Sequence, residues 1–203
     1  MTYPVQLDVT SPPRYDRVQL AIRVVVSIAL GCLGITASWL TWLLFVALPV
    51  VAAIGVSTRG ARPYLDELGP RLWRVLSWLL AFSAYMLLLT DRFPTGEPTG
   101  VAAEIQIDGQ PTVGSALLRL LTSIPSGFVL GLLGIVSWVL VIAGAVMILI
   151  ECRVPDGILA FQRGILRWQA RLLAYHASLV EEYPPFSFED AHQPRPGDRA
   201  SMV

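Results

Sequence analysis

The sequence contains no lysine and no asparagine, and every basic residue in it is arginine. Without lysine, the chain lacks the amine required for Schiff-base chemistry and for a Walker-type phosphate loop. The two cysteines, Cys32 and Cys152, lie within or at the end of apolar segments, and the two histidines, His176 and His192, form no cluster. These spacings predict no disulfide framework, no metal site and no cofactor.

Charge is also scarce, because only 15% of the residues are charged whereas 54% are hydrophobic. Soluble domains carry roughly 25% charged residues. The mean hydropathy of +0.60 therefore indicates a membrane protein. A net charge of +0 argues against nucleic acid as a partner.

Long apolar segments predict four helices, at approximately 16–57, Leu72–Leu89, Ile124–Ile150 and Ile158–Val180. The apolar part of the first, Val24–Val56, exceeds the roughly 20 residues that a bilayer core requires. Three explanations are open: a tilted helix, a kink at Pro49, or a tight hairpin; we favour a single kinked, tilted helix. Alternating apolar residues predict short strands at Tyr3–Val9 and Val101–Ile107, and we expect these to form one small sheet.

The two halves of the chain share residues at constant offsets. Trp78, Tyr85 and Asp91 match Trp168, Tyr175 and Glu181, and Arg23 similarly matches Arg119. Such offsets predict an internal duplication. The predicted fold is an all-α integral membrane protein of two tandem helical-hairpin repeats, each preceded by a short β-strand. The repeats are residues 1–98 and 99–188, and 189–203 is predicted to be a disordered tail.

Arginine placement predicts the orientation in the membrane. Because arginine-rich short loops stay inside, loops 57–71 and 151–163 are expected in the cytoplasm of a multi-pass protein in a bacterial inner membrane. Whether Ile158–Val180 spans the bilayer is left open, since symmetry with Leu72–Leu89 favours a crossing, whereas the arginines favour a helix that lies along the interface or packs inside the protein.

The arginines of this last helix are the main candidate binding surface. Arg163, Arg167 and Arg171 recur every four residues, with Trp168 beside them. Guanidinium groups pair bidentately with phosphate, so the row of arginines could recognise anionic lipid or a protein partner. The alternative is a solvated helix face whose side chains reach the interface. Arg23 and Arg119 are either interface anchors or two symmetric anion sites.

Carboxylates mark the ends of both repeats, at Asp91, Glu181 and Glu182. Paired acids can perform acid–base catalysis, but no nucleophile or metal ligand accompanies these three. We therefore interpret them as helix-end charges and assign no catalytic residue.

The pattern RW-x-x-R-x-x-x-Y at Arg167, Trp168, Arg171 and Tyr175, followed by Tyr183-Pro184-Pro185-Phe186, resembles an uncharacterised bacterial membrane domain family. That family is a domain of unknown function that often occurs in tandem copies. The resemblance implies a membrane fold and no activity. The first half departs from the pattern, since Ser77-Trp78 replaces Arg-Trp and Phe93-Pro94 lacks the second proline.

Three functions follow as hypotheses. The favoured one is a non-enzymatic accessory or scaffold subunit of a bacterial membrane complex, with a protein partner and contact to anionic lipid. The alternatives are a lipid or small-molecule transporter component and a membrane enzyme acting on a lipid-linked substrate. Homo-oligomerisation is left open.

Overall fold

The computed structural model describes residues 3–33, 37–95, 100–122 and 124–185, with side chains of 37–42 excepted. The predicted disordered tail, 189–203, lies outside these residues.

Two short strands form one antiparallel sheet. Strand β1 (Val5–Val9) pairs with β2 (Val101–Ile105), with Val5 opposite Ile105 and Val9 opposite Val101. Side chains alternate between faces in a strand, and β1 buries Val5, Leu7 and Val9 in this way. The predicted sheet is confirmed.

The described residues also form six helices of ten or more residues. They are α1 (Arg17–Cys32), α2 (Ala37–Arg59), α3 (Gly69–Met86), α4 (Val113–Thr122), α5 (Ile124–Glu151) and α6 (Asp156–His176). A helical turn at Ala61–Pro63 and a π-helical segment, Tyr64–Leu68, lead into α3.

The long first helix is divided, so the prediction of a single kinked helix is wrong. Asp16 caps the start of α1 by accepting a hydrogen bond from the Val18 amide at 2.9 Å. Helix α1 ends at Cys32, and Pro49 lies inside the separate helix α2.

The predicted loop at 57–71 is largely helical. Its π-helical segment buries Tyr64, whose hydroxyl donates to the Ala177 carbonyl at 2.6 Å. Gly55 lets the Tyr64 ring approach closely, because a Cβ there would lie 2.5 Å from the ring. This tertiary contact, which local composition does not reveal, holds the segment in place.

Helices α3 and α6 pack on the sheet. Trp73 of α3 donates from Nε1 to the Ala103 carbonyl at 3.3 Å, and Arg167 of α6 donates from Nε to the Leu7 carbonyl at 3.1 Å. Helix α6 also contacts α2, α4 and α5 and is buried along most of its length. It is therefore the central helix of the core.

The predicted fold class is wrong. The protein combines helices with a two-stranded sheet, and one helix in its described part, α5, is long and apolar enough to cross a membrane. The apolar side chains of α6 face other parts of the protein, so this helix does not serve as a lipid-facing span. The multi-pass topology, with 57–71 and 151–163 as cytoplasmic loops, consequently has no support in the structure.

Candidate functional site

Helices α3 and α6 end with the same backbone geometry. Leu88 and Ser178 adopt positive φ angles of 62° and 56°. The next residue in each case donates to the carbonyl five positions earlier, Leu89 to Ala84 at 2.9 Å and Leu179 to Ala174 at 3.1 Å. This is the Schellman arrangement, here without the usual glycine. This arrangement turns the chain sharply. It leaves nearby backbone carbonyls available to a hydrogen-bond donor from another helix.

Arg119 of α4 supplies that donor at the end of α6. Its Nη1 donates to the carbonyls of Tyr175 at 2.5 Å and Val180 at 2.7 Å. Its Nη2 donates to Glu181 Oε2 at 3.1 Å, and its Cζ lies 4.4 Å from the centre of the Tyr175 ring. Arg119 is 2% exposed, so carbonyl oxygens and a ring face replace the water it has lost. We call this group the Arg119 clamp.

Arg23 of α1 makes the corresponding contacts at the end of α3. Its Nη2 donates to the Thr90 carbonyl at 2.5 Å and to Asp91 Oδ1 at 2.9 Å. Its Cζ lies 4.3 Å from the centre of the Tyr85 ring. In the described part of the chain, its Nε and Nη1 have no hydrogen-bond partner. We call this group the Arg23 clamp, and it is less completely satisfied than the Arg119 clamp.

The aromatic residues of the two clamps also correspond. Tyr85 meets Phe93 edge to face with ring centres 5.2 Å apart, and Tyr175 meets Tyr183 in the same way at 5.3 Å. Tyr183 also contacts the hydroxyl of Ser126 on α5. Pro184 is buried, Pro185 is exposed, and Phe186 lies outside the described residues. The predicted repeat-end motif is thus part of a packed helix end.

Two of the three carboxylates at the predicted repeat ends, Asp91 and Glu181, are partners of buried arginines. Asp91 also accepts a hydrogen bond from the Asp16 amide at 2.8 Å through Oδ2. Glu181 accepts one from the Gln110 amide at 3.2 Å. Asp91 and Glu181 therefore each link the start of an apolar helical region to the end of a core helix by hydrogen bonds.

The three arginines of α6 face the N-terminal segment. Arg163 donates to Ser11 Oγ at 2.8 Å, and Arg167 reaches β1 as described above. Arg171 is buried, with its Cζ 5.6 Å from the centre of the Tyr3 ring. Trp168 is buried as well. The structure gives these side chains intramolecular contacts, and their binding of lipid or partner remains a prediction.

Sequence reasoning missed a buried histidine at the end of α6. His176 stacks on Phe45 with ring centres 4.4 Å apart, and its Nδ1 lies 2.6 Å from the Leu172 carbonyl. Burial lowers the pKa of His176 to about 4, because the charged imidazolium would lose its hydration. His176 is therefore neutral at physiological pH. An isolated histidine in a sequence gives no indication of such a site.

A buried polar pair joins α5 to α6 and was also not predicted. Ser137 Oγ donates to Gln162 Oε1 at 2.5 Å, and Gln162 Nε2 donates to the Ser137 carbonyl at 3.0 Å. Such reciprocal bonds satisfy groups that are costly to leave unpaired in a core. Within the described residues, no group of three or more His, Cys, Asp or Glu side chains could hold a metal ion.

Across the residues that the structure describes, the fold and the clamps define a helical protein with one candidate membrane span and two arginine-stabilised helix ends. Residues 114–187 match the model of a family described as Domain of unknown function (DUF4389). The matched region contains α5, α6 and every residue of the Arg119 clamp. No curated protein and no solved structure matches the chain.

Proposed function

We propose that this chain is a non-catalytic, membrane-associated accessory or scaffold subunit, anchored by α5. The observation that carries the proposal is the exposed surface of α5. In its most apolar stretch of 18 residues, the mean hydropathy is 2.7 and only 17% of the residues are buried inside the protein. Its exposed large apolar residues run along the whole helix: Ile124, Phe128, Leu132, Ile135, Val136, Trp138, Val139, Ile142, Val146, Leu149 and Ile150.

The dimensions of α5 suit a bilayer. Its 28 residues extend about 42 Å at ~1.5 Å per residue, compared with about 30 Å for a hydrocarbon core. Glu151 and Arg153 follow the apolar stretch, where charged groups reach the interface. Monomeric soluble proteins rarely expose a contiguous apolar surface of this kind.

A scaffold role is supported by how the buried polar groups are used. Arg23, Arg119, Gln162 and His176 all make contacts that fix one helix against another. No observation favours the transporter or the lipid-linked enzyme over this role. A protein partner and contact with anionic lipid remain part of the proposal.

The finer family features are likewise proposals. The recurrence of the clamp at corresponding residues supports two diverged copies, 1–98 and 99–188, each with a strand, apolar helices and a clamped core helix. Bacterial origin and the RW-x-x-R-x-x-x-Y family pattern are expectations from the resemblance.

Lysine substitution at the middle of α5 tests the anchor. The double variant Ile135→Lys/Val139→Lys changes two exposed positions near the helix centre. Each central lysine costs roughly 2.5–3.5 kcal/mol of insertion free energy. We expect the unmodified protein to stay in membranes after alkaline carbonate extraction and the double variant to be released.

The matched control is Ile150→Lys, an equally exposed position at the end of α5. A lysine there can reach the interface, so this variant should remain in the membrane fraction. Release of the unmodified protein, or equal retention of all variants, would contradict the anchor.

A further inference from the structure

Helices α1 and α4 each bury an arginine and expose apolar side chains, which is the reverse of the pattern expected for a protein surrounded by water. Arg23 is the buried charged residue of α1, at 3% exposed, whereas Val25 is 65% exposed. In α4, Arg119 is 2% exposed and Leu118 is 57% exposed. Surface helices of soluble proteins show the opposite pattern, with apolar residues inside and charged residues outside.

The exposed apolar residues form a continuous face on each helix. On α1 they are Val18, Ile22, Val24, Val25 and Ile28, and on α4 they are Val113, Leu117, Leu118 and Leu121. In water, a rotation of each helix that buried these side chains would be favourable, by a free energy of roughly 1.5–3 kcal/mol for each side chain fully buried. The clamps prevent such a rotation, because it would remove each arginine from its carbonyl acceptors.

The position of α4 indicates what covers this face. Helix α4 ends at Thr122 and α5 begins at Ile124, so its apolar face precedes the candidate span directly in sequence. At ~1.5 Å per residue, the ten residues of α4 reach about 15 Å and the sixteen of α1 about 24 Å. Both are shorter than the roughly 30 Å hydrocarbon core, so neither crosses it alone.

We propose that the exposed faces of α1 and α4 lie against the acyl chains of membrane lipids without crossing the bilayer. The Arg23 and Arg119 clamps tie these two helices to the core helices α3 and α6. In this arrangement the arginines are shielded from lipid by the protein, and the aliphatic side chains meet hydrocarbon. The inference rests on the proposed membrane anchor and extends it to two additional helices.

Spin labelling tests the inference in the full chain. After Cys32→Ser and Cys152→Ala, single cysteines are introduced by Val25→Cys, Leu118→Cys, Ile135→Cys and Glu104→Cys and labelled with a nitroxide. The protein is reconstituted into phospholipid vesicles. Oxygen concentrates among acyl chains, whereas a water-soluble nickel chelate does not enter them. We expect oxygen collisions to dominate at 25, 118 and 135, and nickel collisions at 104, an exposed site on β2.

The outcomes separate the inference from the anchor. Oxygen-dominated collisions at 135 with nickel-dominated ones at 25 and 118 would overturn the inference and leave the anchor intact. Nickel-dominated collisions at 135 as well would overturn both. Low collision rates with both reagents at 25 and 118 would mean that protein covers the faces, such as a second copy of the chain, and would also overturn the inference. Ile28→Cys and Leu121→Cys repeat the test if either first position disturbs folding.

Discussion

Replacing Arg119 with methionine should destabilise the protein more than any change to its carboxylate partner. Methionine keeps much of the volume of the arginine stem but supplies no donor. The Val180 carbonyl would then lose its Arg119 donor, whereas the Tyr175 carbonyl would keep the hydrogen bond from the Ser178 amide at the end of α6.

The magnitude follows from the contacts. Each buried acceptor left unsatisfied costs about 1–3 kcal/mol, and the lost contact with the Tyr175 ring adds about 0.5–2 kcal/mol. The ion pair adds little, because the Glu181 side chain is 54% exposed and solvent screens it. With the Val180 carbonyl as the acceptor left unsatisfied, the expected total is about 2–5 kcal/mol.

Thermal unfolding in mild detergent, followed by circular dichroism, measures this effect. At about 2–4 °C per kcal/mol for a chain of this size, Arg119→Met should lower the Tm by on the order of 10 °C. The control Glu181→Gln removes only the exposed charge and should change the Tm by a few degrees at most. Equal losses in the two variants would refute the view that the backbone carbonyls dominate the clamp.

Three further predictions concern other parts of the core. Since Asp91 is 16% exposed and Glu181 is 54% exposed, Asp91→Asn should lower the Tm more than Glu181→Gln, and equal shifts would contradict this. The pKa of His176 is lowered to about 4 in the folded protein. As the pH falls, the histidine of the unfolded chain is therefore protonated before that of the folded chain. Stability from this group is therefore complete above about pH 6.5 and declines by about 3 kcal/mol as the pH falls to about 4; His176→Gln should remove that decline in denaturant titrations. Gly55→Ala would place a Cβ 2.5 Å from the Tyr64 ring and should cost about 1–3 kcal/mol. Gly131→Ala, with open space around it, should cost nothing measurable by the same titration.

Local sequence patterns predicted the helix and the strand whose surroundings are uniform along their length. Alternation of Val5, Leu7 and Val9 is sufficient to identify β1, because one face of the strand is buried and the other is exposed. The unbroken apolar run of α5 identifies it with nearly its observed bounds, since its surroundings are uniform along its length.

The remaining features depend on contacts between distant residues. Arg119 meets Glu181 across 62 positions and Arg23 meets Asp91 across 68, so no local pattern reveals either clamp. The same holds for α6, whose arginines the sequence presents as a surface for anionic lipid or a partner, or as a solvated helix face. In the structure they face β1 and the segment before α1, a placement that only the tertiary fold determines.

The position of Trp138 tests the central claim, that α5 lies across a membrane, most directly. Trp138 is an exposed residue near the middle of α5. The difference in fluorescence between the unmodified protein and Trp138→Phe isolates its emission in vesicles containing lipids brominated at known acyl depths. We predict the strongest quenching of this component by lipids brominated near the bilayer centre. Quenching mainly by aqueous acrylamide, with no effect of deep bromines, would contradict the account.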